Sequence, residues 1–137
     1  MKLRSTLFLI LTAVIAVAAM TACQDSLEEK AAYEALMYTR KNCPAQLGEN
    51  ITLDSLTFEA PTHTLHYYYT MYGMADSVGL LDNEMVKKSL LSELKNMTAM
   101  MAYKEAGYQF AYTYYSQKNP KNILLEVILD KKDYDRK

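Results

Sequence analysis

Three stretches of this chain alternate apolar and polar side chains with a two-residue period, and nothing else in the sequence narrows the choice of fold as much. In "HTLHYYYTMY", residues 63–72, Leu65, Tyr67, Tyr69 and Met71 share one parity, opposite His66, Tyr68, Thr70 and Tyr72. Residues 108–115 set Tyr108, Phe110, Tyr112 and Tyr114 against Gln109, Ala111, Thr113 and Tyr115. Residues 123–130 set Ile123, Leu125, Val127 and Leu129 against Leu124, Glu126, Ile128 and Asp130. This period marks strands with one face buried, and the first set of each strand is assigned to the core. The chain has 12 tyrosines and no tryptophan. A phenol ring suits a pleated, half-buried surface, and its buried hydroxyl needs a partner, expected here at the sheet rim or the helix ends.

A fourth strand has a fault in its alternation. In "ITLDSLTFEA", Ile51 and Leu53 share one parity while Leu56, Phe58 and Ala60 share the other. One extra residue near Asp54–Ser55, a β-bulge, returns both sets to one face. The turn "APTH" leads into the tyrosine strand.

Two helices complete the pattern. Ser26 followed by Glu29 forms a capping box for a helix running to Asn42, which Pro44 then stops. Asp82 is an N-cap for a longer helix, with Val86, Leu90, Leu94, Met97 and Met101 on one stripe and Gly107 at the C′ position. The tail "KKDYDRK" reads as a solvated charge run. The expected fold is α+β, in the order α-β-β-α-β-β, with an antiparallel sheet of about four strands and its helices on one face.

The first residues give an address. Lys2 and Arg4 precede an apolar run from Leu7 to Met20, too short for the roughly 20 residues that span a bilayer. Met20-Thr21-Ala22-Cys23 resembles a bacterial lipobox. That resemblance implies cleavage before Cys23, its lipidation, and a firm membrane tether, since two or more acyl chains hold where one does not. Residues 1–22 are thus expected as a signal peptide and 23–137 as a single domain. Gln24 after the cysteine resembles the signal for an outer-membrane location; which leaflet it faces is open.

Composition removes several functions. Without residues 1–22 the chain has 13 Lys and Arg against 16 Asp and Glu, the wrong balance for nucleic acid. With Cys23 lipidated, Cys43 has no intramolecular partner. It is either a buried apolar residue, an intermolecular partner or a reactive thiol. His63 and His66 are three apart, which on a strand points them to opposite faces and suits no metal. No G-x-S-x-G, phosphate loop or H-E-x-x-H occurs. No cofactor, metal or catalytic residue is expected.

Cys43-Pro44, Leu53-Asp54-Ser55 and Tyr67-x-Tyr69-Thr70 together resemble a group of uncharacterised bacterial proteins, many of them lipoproteins or secreted. The resemblance implies a helix followed by strands and no known enzymology. The function expected is a non-enzymatic envelope lipoprotein that binds a protein, or a glycan, through the second sheet face. That face carries His66, Tyr68, Thr70, Tyr72, Gln109, Thr113, Tyr115 and Glu126. The alternatives are a small accessory hydrolase or inhibitor-like module, and a structural homodimer joined through the same face.

Overall fold

The computed structural model describes residues 26–136, so the signal segment and Cys23 lie outside the described residues. Residues 26–30 are helical, Ser26 included, and belong to a different compact unit from the residues that follow. Residues 31–42 are helical too and are called α1. After it come β1 (Ala45–Gly48), β2 (Ile51–Glu59) and β3 (Thr64–Met71). Two helices follow, α2 (Asn83–Asn96) and α3 (Met101–Glu105), then β4 (Gln109–Ser116), β5 (Ile123–Leu129) and α4 (Lys131–Tyr134).

The α+β class and the helices on one face are as expected, and the sheet differs in two respects. It has five strands in the order β1-β2-β3-β4-β5, because "AQLG" pairs with the start of β2. It is also not wholly antiparallel: β3 and β4 run parallel, with Thr64 beside Gln109 and Met71 beside Ser116. The cause is the helical connection, which carries the chain back to the end of the sheet where β3 began.

That parallel register accounts for most of the tyrosines. Tyr67 lies beside Tyr112 and Tyr69 beside Tyr114, with ring centroids 5.1 and 4.8 Å apart and planes within 7° and 11°. Their face is the core. Leu53, Leu56, Leu65, Phe110, Leu125, Val127 and Leu129 are buried on it, under Ala31 and Ala35 of α1, Leu94 of α2, Tyr103 of α3 and Tyr134 of α4. The expected bulge is present: Leu53 pairs with Tyr69 and Ser55 with Tyr68, leaving Asp54 as the extra residue.

Three expectations need correction. A second bulge, at Leu124, pairs Tyr115 with Ile123, so Ile123 leaves the core set and stands 48% exposed on the opposite face. The long helix is broken at Met97, whose backbone is extended, and both Met97 and Met101 are exposed. Lys104 Nζ reaches back to the carbonyls of Leu94 (2.8 Å) and Lys95 (3.2 Å), supplying donors that continued helix would have supplied. The tail is not simply solvated. Asp130 and Asp133 form a capping box for α4, and the buried Tyr134 donates its hydroxyl proton to the Tyr108 carbonyl at 2.9 Å. Gly107 does sit past the helix end at φ +79°, with Tyr108 N–H on the Tyr103 carbonyl and Gly107 N–H on that of Lys104.

Candidate functional site

With the helices all on the core side, the opposite face of the sheet is bare among the described residues. It carries a hydrogen-bonded line across four strands. Glu59 Oε1 on β2 lies 2.6 Å from His66 Nδ1 on β3, and His66 Nε2 lies 2.7 Å from Thr113 Oγ1 on β4. Thr113 donates in turn to Glu126 Oε2 on β5 at 3.1 Å. The Tyr68 ring stacks on the His66 ring with centroids 4.1 Å apart, and its hydroxyl lies 3.0 Å from Nδ1 and 3.4 Å from Glu59 Oε1. Burial first, and then the Glu59 charge, push the Tyr68 phenol above its ordinary value, against a lowering hydrogen bond with Thr57.

By register, Thr70, Gln109 and Tyr115 share this face. Thr70 donates to the carboxylate of the bulge residue Asp54 at 2.6 Å. Tyr115 is half-buried, its ring 6.4 Å from that of Tyr68. Gln109 sits at the start of β4, its Oε1 accepting from Thr64 at 3.3 Å. Tyr72 lies just past the end of β3, half-buried, its N–H on the Asn50 carbonyl. His63 is apart from the set. It precedes β3 in a left-handed conformation and meets the Tyr108 ring.

An acid–histidine–hydroxyl line invites comparison with a nucleophile relay, and its access argues otherwise. Thr113 is 1% exposed and its hydroxyl is held between His66 and Glu126, so no reacting carbonyl can approach it. Both imidazole nitrogens are occupied. Cys43 is free and half-buried, and burial chiefly, then the Asp54 charge, raise its thiol away from the reactive thiolate form. Among the described residues, no group of three or more His, Cys, Asp or Glu is placed to hold a metal ion.

A second surface was not foreseen. The helix α1 lies on the sheet through small residues one turn apart, Ala31 and Ala35, with Thr39 next in the row. Its large apolar side chains therefore point elsewhere, and Tyr33 and Leu36 stand 64% and 48% exposed. Beside Tyr33 runs an apolar trough of about 330 Å³, lined by Leu56, Leu65 and Tyr103 below and by Tyr33, Met37 and Tyr38 of the helix. The signal in the sequence was a helix apolar on more than one side, "AAYEALMY".

Fold and surface together define a small helix-backed domain whose mixed five-stranded sheet leaves one polar, ring-bearing face uncovered. The chain belongs to a family described as a domain of unknown function, DUF8479, which it matches over residues 26–125. No curated protein sequence matches it. Three solved structures share its fold. One is a protein of Pseudomonas aeruginosa assigned as secreted, 16% identical, with a TM-score of 0.66 over 80% of this chain and 90% of that one. Another is the type II secretion system pilotin AspS of Vibrio cholerae, 16% identical, TM-score 0.62, over 84% and 98%. The third is the pilotin EpsS of the Vibrio vulnificus type 2 secretion system, 8% identical, TM-score 0.64, over 82% and 96%. At these identities the likeness is one of fold.

Proposed function

We propose that this chain is a non-enzymatic lipoprotein of the bacterial envelope, anchored in the outer membrane through Cys23, that holds a protein partner on its bare sheet face. The observation that carries the reading is the face itself. Its polar groups are fixed in place by one another, as along Glu59–His66–Thr113–Glu126, and rings and aliphatic side chains stand among them. Surfaces that bind proteins combine such preorganised polar groups with aromatic contact area. The lipobox-like Met20–Cys23 gives the anchor, and a fold shared with two pilotins supports an accessory role in the envelope.

The trough beside α1 supplies a second reading of the contact surface, favoured by the exposed Tyr33 and Tyr38 in its wall. A photo-crosslinking amino acid placed at Tyr68, Tyr115 or Tyr33 in the anchored protein decides between them. Cross-links to another envelope protein from positions 68 and 115 are expected. Cross-links from position 33 alone would move the contact to the trough, and self-linked pairs from position 68 would favour the homodimer. The same strain carrying Cys23→Ser should release the protein from washed membranes.

A further inference from the structure

The two edges of the sheet are treated differently. At the β2 edge, β1 covers residues 51–53, and beyond it the Thr39 hydroxyl both donates to the Leu56 carbonyl and accepts from the Leu56 N–H, each at 2.8 Å. On that side the outer strand is β1, only four residues long. At the far edge, β5 pairs with β4 alone, and among the described residues no side chain bonds its outward backbone groups. The strand is "ILLEVIL": its bulge at Leu124 disturbs only the first residues, and the stretch from Leu125 to Leu129 has no proline and a single charge, Glu126, to blunt it. Ile123 and Ile128 are each 48% exposed on the bare face, with Glu126 exposed between them.

We infer that the outer edge of β5 accepts an extended segment of an envelope protein as a sixth strand. The segment would carry a basic residue opposite Glu126 and apolar residues two positions to either side. Unpaired N–H and C=O groups in a row are satisfied by another strand, and side chains on alternate positions then give the specificity. Directly opposed residues of an antiparallel pair share a face, so the neighbours of Glu126 and Ile128 would lie on the bare face. The Glu126 carboxylate accepts one hydrogen bond, from Thr113, and keeps capacity for a cation.

A second copy of this chain fits the edge poorly. Paired antiparallel with itself, β5 would set Glu126 opposite one of the bare-face positions 123, 126, 128 or 130 of the copy. Those positions hold isoleucine, glutamate itself, isoleucine and aspartate, and none is a cation. Charge complementarity therefore selects a different partner.

This inference rests on the protein-holding reading and is tested apart from it, with purified components. The probe is a short synthetic peptide of threonines alternating with a central isoleucine, lysine, isoleucine set, added to the full chain in detergent. Amide hydrogen exchange is the readout. The peptide should slow exchange of residues 123–129, and N-methylation along its pairing edge should abolish the effect. Glu126→Lys should weaken binding of the lysine peptide about fivefold and favour a glutamate counterpart instead. Glu126→Gln, which keeps an acceptor for Thr113, should bind both peptides alike. No protection at β5, protection at the trough, or protection that rises with protein concentration in the absence of peptide would each overturn the inference. Envelope cross-links from position 68 without peptide protection at β5 would sink this edge and leave the proposed function standing.

Discussion

Thr39 shows how much one hydroxyl can settle. It is both donor and acceptor to the same residue, Leu56, and so closes a stretch of strand edge that β1 is too short to reach. Thr39→Val keeps the shape and removes both bonds, leaving two partly buried backbone groups without this partner; a loss of about 1–3 kcal/mol is expected. Urea unfolding measures it, with Thr39→Ser as the control that should recover most of the loss. A Thr39→Val variant as stable as the parent would mean that water serves Leu56 equally well. Nothing local marks Thr39 in the sequence, because its role depends on where β1 stops. Asp54 is the opposite case. The shift of parity between Leu53 and Leu56 is a local signal, and the bulge stands where that shift requires it. The bulge at Leu124 left no such signal. Residues 123–129 are apolar at nearly every position, so a slip of register there changes no pattern that can be read.

At the scale of elements, α4 is the instructive one. Four residues are far too few to hold helix unaided, so this turn exists because its start is capped and its end is packed. Asp130 Oδ1 accepts from Lys132 N–H and Asp133 N–H, while the Asp133 carboxylate accepts from Asp130 N–H. At the other end Tyr134 meets the Phe110 ring edge-on and bonds the Tyr108 carbonyl. Asp130→Ala should therefore cost about 1 kcal/mol, felt locally. Exchange of the amides of residues 132–135 should quicken while those of β4 stay protected. Equal acceleration in both would show that α4 and the sheet open together. The aspartates three apart and the tyrosine between charges were legible signals, outweighed by the charge count of the tail. The break at Met97 had no signal of its own. The spacing of Leu94, Met97 and Met101 continues a helical stripe without a glycine or proline. Lys104 from the next element supplies the alternative partners for the α2 carbonyls, and pattern alone does not show tertiary contacts of that kind.

At the scale of the molecule, alternation shows which residues share a face but not which way neighbouring strands run. The same tyrosine parities serve an antiparallel or a parallel pairing, and only the crossover through α2 and α3 selects the second. That choice turns the rings into a stacked core and gives the protein a characteristic weakness in alkali. Burial pushes Tyr67, Tyr114 and Tyr134 up to about 12 and raises Tyr69, Tyr103 and Tyr112 as well. Neighbouring phenols and carboxylates add to it; Glu93 lies beside Tyr114, and Glu34 accepts from Tyr103 at 2.7 Å. A phenol whose folded value exceeds its unfolded value, about 10, stabilises the fold fully below that pH. The contribution drains away as pH climbs toward the folded value, because the unfolded chain releases its protons first. Several such groups on one face should lose it together. Between pH about 10 and 12 the phenolate absorbance of the core rings should rise in one cooperative step, together with loss of the sheet's circular dichroism. Tyr67→Phe, which keeps the stack on Tyr112 and removes one ionisable hydroxyl, should move that step to higher pH. If instead these rings ionise gradually while the sheet stays intact, the stacked face is open to hydroxide. The side of the sheet assigned to the core would then have to be exchanged with the side assigned to the partner.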